Sequence, residues 1–118
     1  MTAITIGFIG AGNMARSLAG GLLNNGWTAG RLYLSDPDAR QRTGAEQALG
    51  VQTFADNREL AEHAEILVLA VKPQALKEVA EALAATVQKK RPLVISIAAG
   101  VRVQDLERWL GGKLPIVR

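Results

Sequence analysis

The clearest chemical pattern in the sequence lies near its start. Residues 10–15 read Gly-Ala-Gly-Asn-Met-Ala, a G-x-G-x-x-A pattern that follows an apolar run and precedes a stretch with helical periodicity. In that setting the pattern indicates a turn that holds the pyrophosphate of a dinucleotide. Gly10 would permit the tight turn, Gly12 would let the backbone approach the pyrophosphate, and the next helix would direct free N–H groups at the phosphates. Ala15, at the third glycine position, still allows close packing of helix on strand. A glycine turn that only packs is the alternative.

Residues at the end of the second predicted strand would distinguish the 2′-hydroxyl of NAD from the 2′-phosphate of NADP. Asp36 lies about 20 residues beyond the turn, where an acid accepts a hydrogen bond from the 2′-hydroxyl of NAD. Arg40 and Arg42 follow it, and a nearby arginine would instead suit the 2′-phosphate of NADP. Asp36 fits a turn or helix-cap role before Pro37 equally well, and the arginines fit an exposed helix face. The residues alone therefore leave NAD and NADP open.

Two later loops also follow apolar runs. Lys72 precedes Pro73, which holds the backbone of Lys72 extended, so Lys72 would neutralise phosphate charge or simply be solvated. Residues 96–100, Ser-Ile-Ala-Ala-Gly, are small except for the isoleucine and leave space for a flat ring.

No catalytic group can be assigned from the sequence. His63 is the only histidine, and it is interpreted as a surface or helix-end residue rather than a catalytic base. No Ser-His-Asp set, metal-ligand spacing or P-loop lysine motif can be assembled. We therefore expect no metal, and we interpret Trp27 and Trp109 as packing residues.

Composition narrows the class of protein. With 118 residues, 48% of them hydrophobic, the chain suits one domain. It has no cysteine, so disulfide and thiolate chemistry are excluded. The net charge of +3 is scattered and aromatic residues are 4%, which argues against nucleic-acid binding. No leader pattern and no membrane-spanning apolar run is present, so a cytoplasmic location is the default expectation.

Short apolar runs alternate with helical patterns along the chain. Strands are predicted at residues 4–9, 32–35, 51–54, 66–71, 92–100 and 114–118. Helices are predicted at residues 14–25, from Pro37 to Gly50, from Asp56 or Asn57 to His63, at 75–87, and in a short segment with Leu106, Trp109 and Leu110 inward. This alternation predicts an α/β, doubly wound Rossmann-type domain with a mainly parallel six-stranded sheet in the order 3-2-1-4-5-6. Ligands of such sheets bind where the strand order reverses, so the site is expected at the loops after Ile9, Ser35, Val71 and Ile97.

Several of these stretches occur together in a fixed order. They are GFIGAGNMA at residues 7–15, SDP at 35–37, AVKPQ at 70–74, SIAAGV at 96–101 and LPIVR at 114–118. In this combination the whole chain resembles the N-terminal domain of pyrroline-5-carboxylate reductase. The resemblance implies reduction of the C=N bond of 1-pyrroline-5-carboxylate to L-proline, with hydride from NADPH or NADH.

The resemblance also implies a set of cofactor-binding residues. Ile9, Gly10, Ala11, Gly12, Asn13 and Met14 would cradle the pyrophosphate; Ser35, Asp36 and Asn57 would lie near the adenosine; Ala70, Val71, Lys72, Pro73, Ala98 and Ala99 would flank the cofactor towards the nicotinamide. Asp36 departs from the family, whose members often have a second small polar residue there. Because its carboxylate would repel a 2′-phosphate, strict NADPH preference is not expected.

Family members continue beyond the Ile-Val-Arg stretch with a Met-Pro-Asn-Thr-Pro-like segment and a helical domain that forms the dimer and supplies most of the substrate site. The resemblance thus implies that residues 1–118 are the NAD(P)-binding domain alone, binding cofactor with little or no activity. The small-molecule substrate and the homo-oligomer contacts would belong to the full enzyme, and neither nucleic acid nor membrane is an expected partner. The alternatives are the cofactor domain of another imine, prephenate or β-hydroxyacid dehydrogenase, and a non-catalytic nucleotide-sensing or partner-binding module.

Overall fold

Parallel strands alternate with helices throughout the computed structural model, which describes residues 4–117. The strands are β1 Ile6–Ile9, β2 Leu32–Ser35, β3 Gln52–Phe54, β4 Ile66–Leu69, β5 Leu93–Ser96 and β6 Ile116–Val117. The helices are α1 Asn13–Asn24, α2 Ala39–Leu49, α3 Asn57–Ala61, α4 Pro73–Lys90 and α5 Val103–Trp109, with a 3-10 turn at Ala29–Arg31. The strands form one sheet in the order 3-2-1-4-5-6, and all neighbours are parallel. The predicted fold is confirmed.

The core lies in two layers because side chains alternate between the faces of the sheet. Phe8 and Val68 point to the layer that contains the buried alanines of α1 and α2. Leu67 and Leu69 point to the opposite layer, under α3, α4 and α5. The uninterrupted apolar run of β4 thus reflects burial on both faces, as expected for a central parallel strand.

Most elements are confirmed with shifted ends. Strand β5 ends at Ser96 rather than at residue 100. Beyond it the Ile97 N–H still donates to the Leu69 carbonyl (3.3 Å), and the Ala98 N–H donates to the Ser96 hydroxyl (3.4 Å) instead of to a neighbouring strand. Helix α2 begins after Pro37, since Asp38 is its N-cap and accepts from the Arg40 N–H (2.9 Å). Strands β1, β3, β4 and β6 are shorter than predicted, and residue 118 of the predicted sixth strand lies outside the described residues.

The buried faces of two helices differ from simple apolar spacing. In α1 the buried residues are Ala15 and Ala19, whereas Met14 and Leu18 are 60% and 40% exposed. Small residues therefore face the sheet and bring the helix close to it. In α5, Leu106 is buried as predicted but Trp109 is only half-buried, so its predicted inward position is only partly correct.

Gly7 allows the end of α3 to pack directly against the backbone of β1. A Cβ on Gly7 would overlap the Leu60 side chain and lie 2.9 Å from the Ala64 Cβ. The end of the Leu60 side chain can rotate, but the Ala64 Cβ can move only with its backbone. The glycine is therefore a packing requirement of the central strand.

We expect Gly7→Ala to lower the free energy of unfolding by about 1–3 kcal/mol, the usual cost of overpacking a core. Gly21→Ala is the matched control, because Gly21 lies in α1 with no atom within 4 Å of the added Cβ. The control should raise stability by up to about 1 kcal/mol through helix propensity. Urea denaturation of both variants measures this, and equal losses would contradict the packing role of Gly7.

Candidate cofactor-binding site

A cleft of about 430 Å³ lies at the carboxyl ends of the central strands. It is centred where the strand order reverses between β1 and β4, which is where ligands of such sheets bind. The residues that line it are Gly10, Gly12, Ser35, Asp36, Pro37, Gln41, Asn57, Ala70, Val71, Lys72, Gln74, Ala75 and Val79. The loops after the first, second and fourth strands, at which the sequence predicted a site, therefore meet in this cleft.

Gly10 makes the turn out of β1. Its φ of +108° is a conformation that L side chains rarely adopt. Its N–H donates to the Ser35 carbonyl (2.7 Å), and a Cβ would lie 3.0 Å from the Ala70 carbonyl oxygen. The geometry of the chain itself thus requires glycine at this position.

Gly12 differs, because nothing in the described chain requires it to be glycine. Its φ of −81° and ψ of −170° suit any residue, and a Cβ there would meet no atom within 4 Å. Gly12 is the N-cap of α1, and no side chain caps that helix. The first N–H groups of α1 are therefore available to an anion that approaches over Gly12.

Asp36 connects the glycine turn to the loop after β2. Its Oδ2 accepts from the Ala11 N–H (3.1 Å) and its Oδ1 accepts from the Asp38 N–H (2.9 Å). The turn role proposed for Asp36 is present, and the residue also lines the cleft. Arg42 donates from Nη1 to the carbonyls of Asp36 and Pro37 (2.9 and 3.1 Å), so it closes this loop.

Ser35 and Asn57 join the second and third loops. The buried Ser35 hydroxyl donates to Asn57 Oδ1 (2.7 Å). Asn57 is the first residue of α3, whose N-cap Asp56 accepts from the Arg58 N–H (2.8 Å). The Arg58 guanidinium also hydrogen-bonds the Asp56 carboxylate, and this holds the pKa of Asp56 below its ordinary value. Asn57 is thus placed by a capped helix start.

Lys72 lies where β4 gives way to α4. It is the N-cap of α4 and has the extended backbone that was predicted (φ −65°, ψ 148°), whereas the helix begins at Pro73, two residues earlier than predicted. The Lys72 side chain is exposed and lines the cleft. It can therefore bring a positive charge to an anionic ligand there.

Other candidate residues lie outside the cleft lining. Ile9 and Ala11 are buried, so only their backbone is available, and the Ala11 N–H is already bonded to Asp36. The remaining candidates are Asn13 and Met14 in the first turn of α1, Pro73 at the start of α4, and Ala98 and Ala99 in the loop after β5. Sequence reasoning did not assign Gln41, Gln74, Ala75 or Val79, which line the cleft from α2 and α4. Their signal was position: the two glutamines lie in first helical turns after the predicted loops.

His63 lies away from this cleft. It is exposed, and its ring stacks on Phe54 with centroids 5.4 Å apart. Within residues 4–117, no group of three or more His, Cys, Asp or Glu side chains is arranged to hold a metal ion. Across the same residues, no helix is both long and apolar enough to span a membrane.

Comparison with known proteins matches residues 5–100 to the family model described as NADP oxidoreductase coenzyme F420-dependent. The chain belongs to this NADP oxidoreductase family. The matched region includes the glycine turn, Asp36, Asn57 and Lys72, and it ends in the loop after β5.

The chain is also similar over its whole length to pyrroline-5-carboxylate reductases. It is 45% identical over 118 residues to the pyrroline-5-carboxylate reductase of Pseudomonas aeruginosa, and it spans 43% of that protein. A solved pyrroline-5-carboxylate reductase from Coxiella burnetii is 39% identical, with a TM-score of 0.88 over 93% of this chain and 41% of that one. The pyrroline carboxylate reductase of Plasmodium falciparum, solved with NADP bound, is 30% identical, with a TM-score of 0.82 over 98% of this chain and 41% of that one. The resemblance inferred from the sequence motifs is confirmed.

Proposed function

We propose that this chain is the dinucleotide-binding part of a pyrroline-5-carboxylate reductase. The observation that carries the proposal is the 45% identity over the whole chain to such an enzyme. The cleft supports it, because a glycine that the chain itself does not require faces the open start of α1. The cofactor is NADPH or NADH.

The cleft residues take the following parts in this proposal. The pyrophosphate lies over Gly12 against the N–H groups that begin α1. The adenosine ribose lies towards Ser35, Asp36 and Asn57, and Lys72 offsets phosphate charge. Ala70, Val71, Pro73, Ala98 and Ala99 flank the nicotinamide side, where the bound reduced ring supplies the hydride.

The substrate site belongs to the rest of the enzyme in this proposal. We assign no catalytic residue within residues 1–118, and we place 1-pyrroline-5-carboxylate and the homo-oligomer contacts mainly in the part of the relatives that this chain does not span. A chain without cysteine fits a reducing compartment, and we propose a cytoplasmic location.

Cofactor binding is tested by titrating the chain calorimetrically with NADPH, NADH and ADP. The unaltered chain should bind at least one dinucleotide, whereas Gly12→Asp should lose at least ~2 kcal/mol of binding free energy, because its carboxylate enters the pyrophosphate space unpaired. Gly30→Asp is the control: it adds the same charge at an exposed turn before β2, with no atom near the added Cβ. Equal affinity of a folded Gly12→Asp variant would remove the proposed role of the turn.

Substrate choice is tested with a chimera of residues 1–118 and the part of the Pseudomonas aeruginosa relative that follows its matched region. The chimera should oxidise NADPH or NADH only when 1-pyrroline-5-carboxylate is added, while residues 1–118 alone should bind cofactor with little or no turnover. A folded, cofactor-bound chimera without this activity would favour a nucleotide-sensing module. Rapid turnover by residues 1–118 alone would show that the substrate site lies within them.

Cofactor choice is tested with Asp36→Ser. Two like charges about 4 Å apart near a protein surface repel by up to about 4 kcal/mol before salt screening, so removal of this carboxylate should raise NADPH affinity relative to NADH by about tenfold. Asp38→Ser is the control, since it removes a neighbouring charge and keeps an N-cap side chain on α2. An unchanged ratio of the two dissociation constants would restrict Asp36 to its turn role.

A further inference from the structure

Arg16 lies between the glycine turn and helix α2. Its Nε donates to the Ala11 carbonyl (3.1 Å), and its Nη2 donates to the carbonyl and the Oε1 of Gln41 (both 3.0 Å). None of the ion pairs formed among residues 4–117 includes Arg16. A half-buried guanidinium therefore carries its positive charge next to the cleft without a carboxylate partner.

Gly44 provides the space for this guanidinium. A Cβ on Gly44 would overlap Arg16 Nη2 and lie 2.9 Å from Arg16 Cζ. Gly44 is in the middle of α2, where glycine costs about 1 kcal/mol relative to alanine. The guanidinium thus lies against the backbone of α2 at a position where a side chain would displace it.

The contact fixes the orientation of the Gln41 amide. A guanidinium has only donors, so Gln41 must turn its oxygen towards Arg16. The amide nitrogen with its two N–H donors is then directed away from Arg16. Gln41 lines the cleft together with Asp36 and Gly12, and its nitrogen has no hydrogen-bond partner within residues 4–117.

We propose that Gln41 donates from this nitrogen to the 2′-phosphate of the adenosine ribose when NADP(H) is bound, and that Arg16 is the positioning residue that holds it there. The inference rests on the proposed function. The acid at the end of β2 marks the place of the 2′ substituent, and Gln41 shares that end of the cleft. Hydrogen bonds to a charged phosphate are stronger than those to a hydroxyl, so this pair favours NADPH over NADH.

At this end of the cleft, Arg16 and Gln41 favour a bound phosphate, whereas the carboxylate of Asp36 repels it. Both Asp36 oxygens accept backbone N–H bonds, which partly offset the negative charge of the carboxylate. The unpaired guanidinium adds positive charge from the other side of Gln41. The balance of these charges decides whether the 2′-phosphate can bind beside the Asp36 carboxylate.

The test measures dissociation constants of the chain for NADPH and NADH in Gln41→Met, Arg16→Met and the double variant. Loss of a hydrogen bond to a charged group should weaken NADPH binding by about tenfold, with a change below about threefold for NADH. Because Arg16 acts through Gln41, the double variant should lose little more than the larger single loss. Lys89→Gln is the charge-matched control: Lys89 lies in the last turn of α4, roughly 15 Å along the helix from Val79, the cleft-lining residue of α4 nearest to it.

Thermal unfolding shows whether each variant is folded. Should Arg16→Met not fold, Gly44→Ala replaces it, since it displaces the guanidinium while helix propensity favours the fold. An unchanged ratio of the NADPH and NADH dissociation constants in folded Gln41→Met would overturn this inference, and so would strictly additive losses in the double variant. Either result would leave the proposed function in place. An unaltered chain that binds neither dinucleotide would overturn the proposed function, and the inference with it.

Discussion

The contact between the glycine turn and the end of β2 determines the shape of the candidate site. The Gly10 N–H donates to the Ser35 carbonyl, and the Ala11 N–H donates to the Asp36 carboxylate. These two bonds hold the turn against the loop after β2. Ser35 extends the connection to Asn57 at the start of α3. Three loops that are far apart in sequence are therefore fixed relative to one another before any ligand arrives, which lowers the ordering cost of binding.

Two glycines of one motif serve different purposes. The backbone conformation requires glycine at position 10, because the positive φ and the close approach to Ala70 exclude a side chain. Nothing inside the described chain requires Gly12 to be glycine, since its backbone angles suit any residue and an added side chain would meet open space. The open space over Gly12 fits the role we propose for it, in which a ligand approaches the backbone. Gly44 shows the same logic inside the protein, where the guanidinium of Arg16 takes the place of a side chain.

The sequence predicted the fold and most of the cleft, and its errors have physical causes. Strand β5 was predicted too long because Ile97, Ala98 and Ala99 continue the apolar run past Ser96, where the strand ends. The apolar spacing of α1 identified the helix, but Ala15 and Ala19 face the sheet, since a helix that follows a glycine turn packs too close for large side chains. Gln41 was missed because its contact with Arg16, which lies on another helix, cannot be read from local sequence.

By itself the sequence determined the alternation of strands and helices, the glycine turn and the family resemblance. These follow from local periodicity, from the conformational freedom of glycine and from short motifs, none of which needs distant contacts. The tertiary structure alone decided that Asp36 bonds the Ala11 N–H, that Asn57 meets Ser35, and that Arg16 lies across Gly44. Each of these contacts joins residues from different loops or helices, and their distances exist only once the sheet has brought the carboxyl ends of β1, β2 and β3 together.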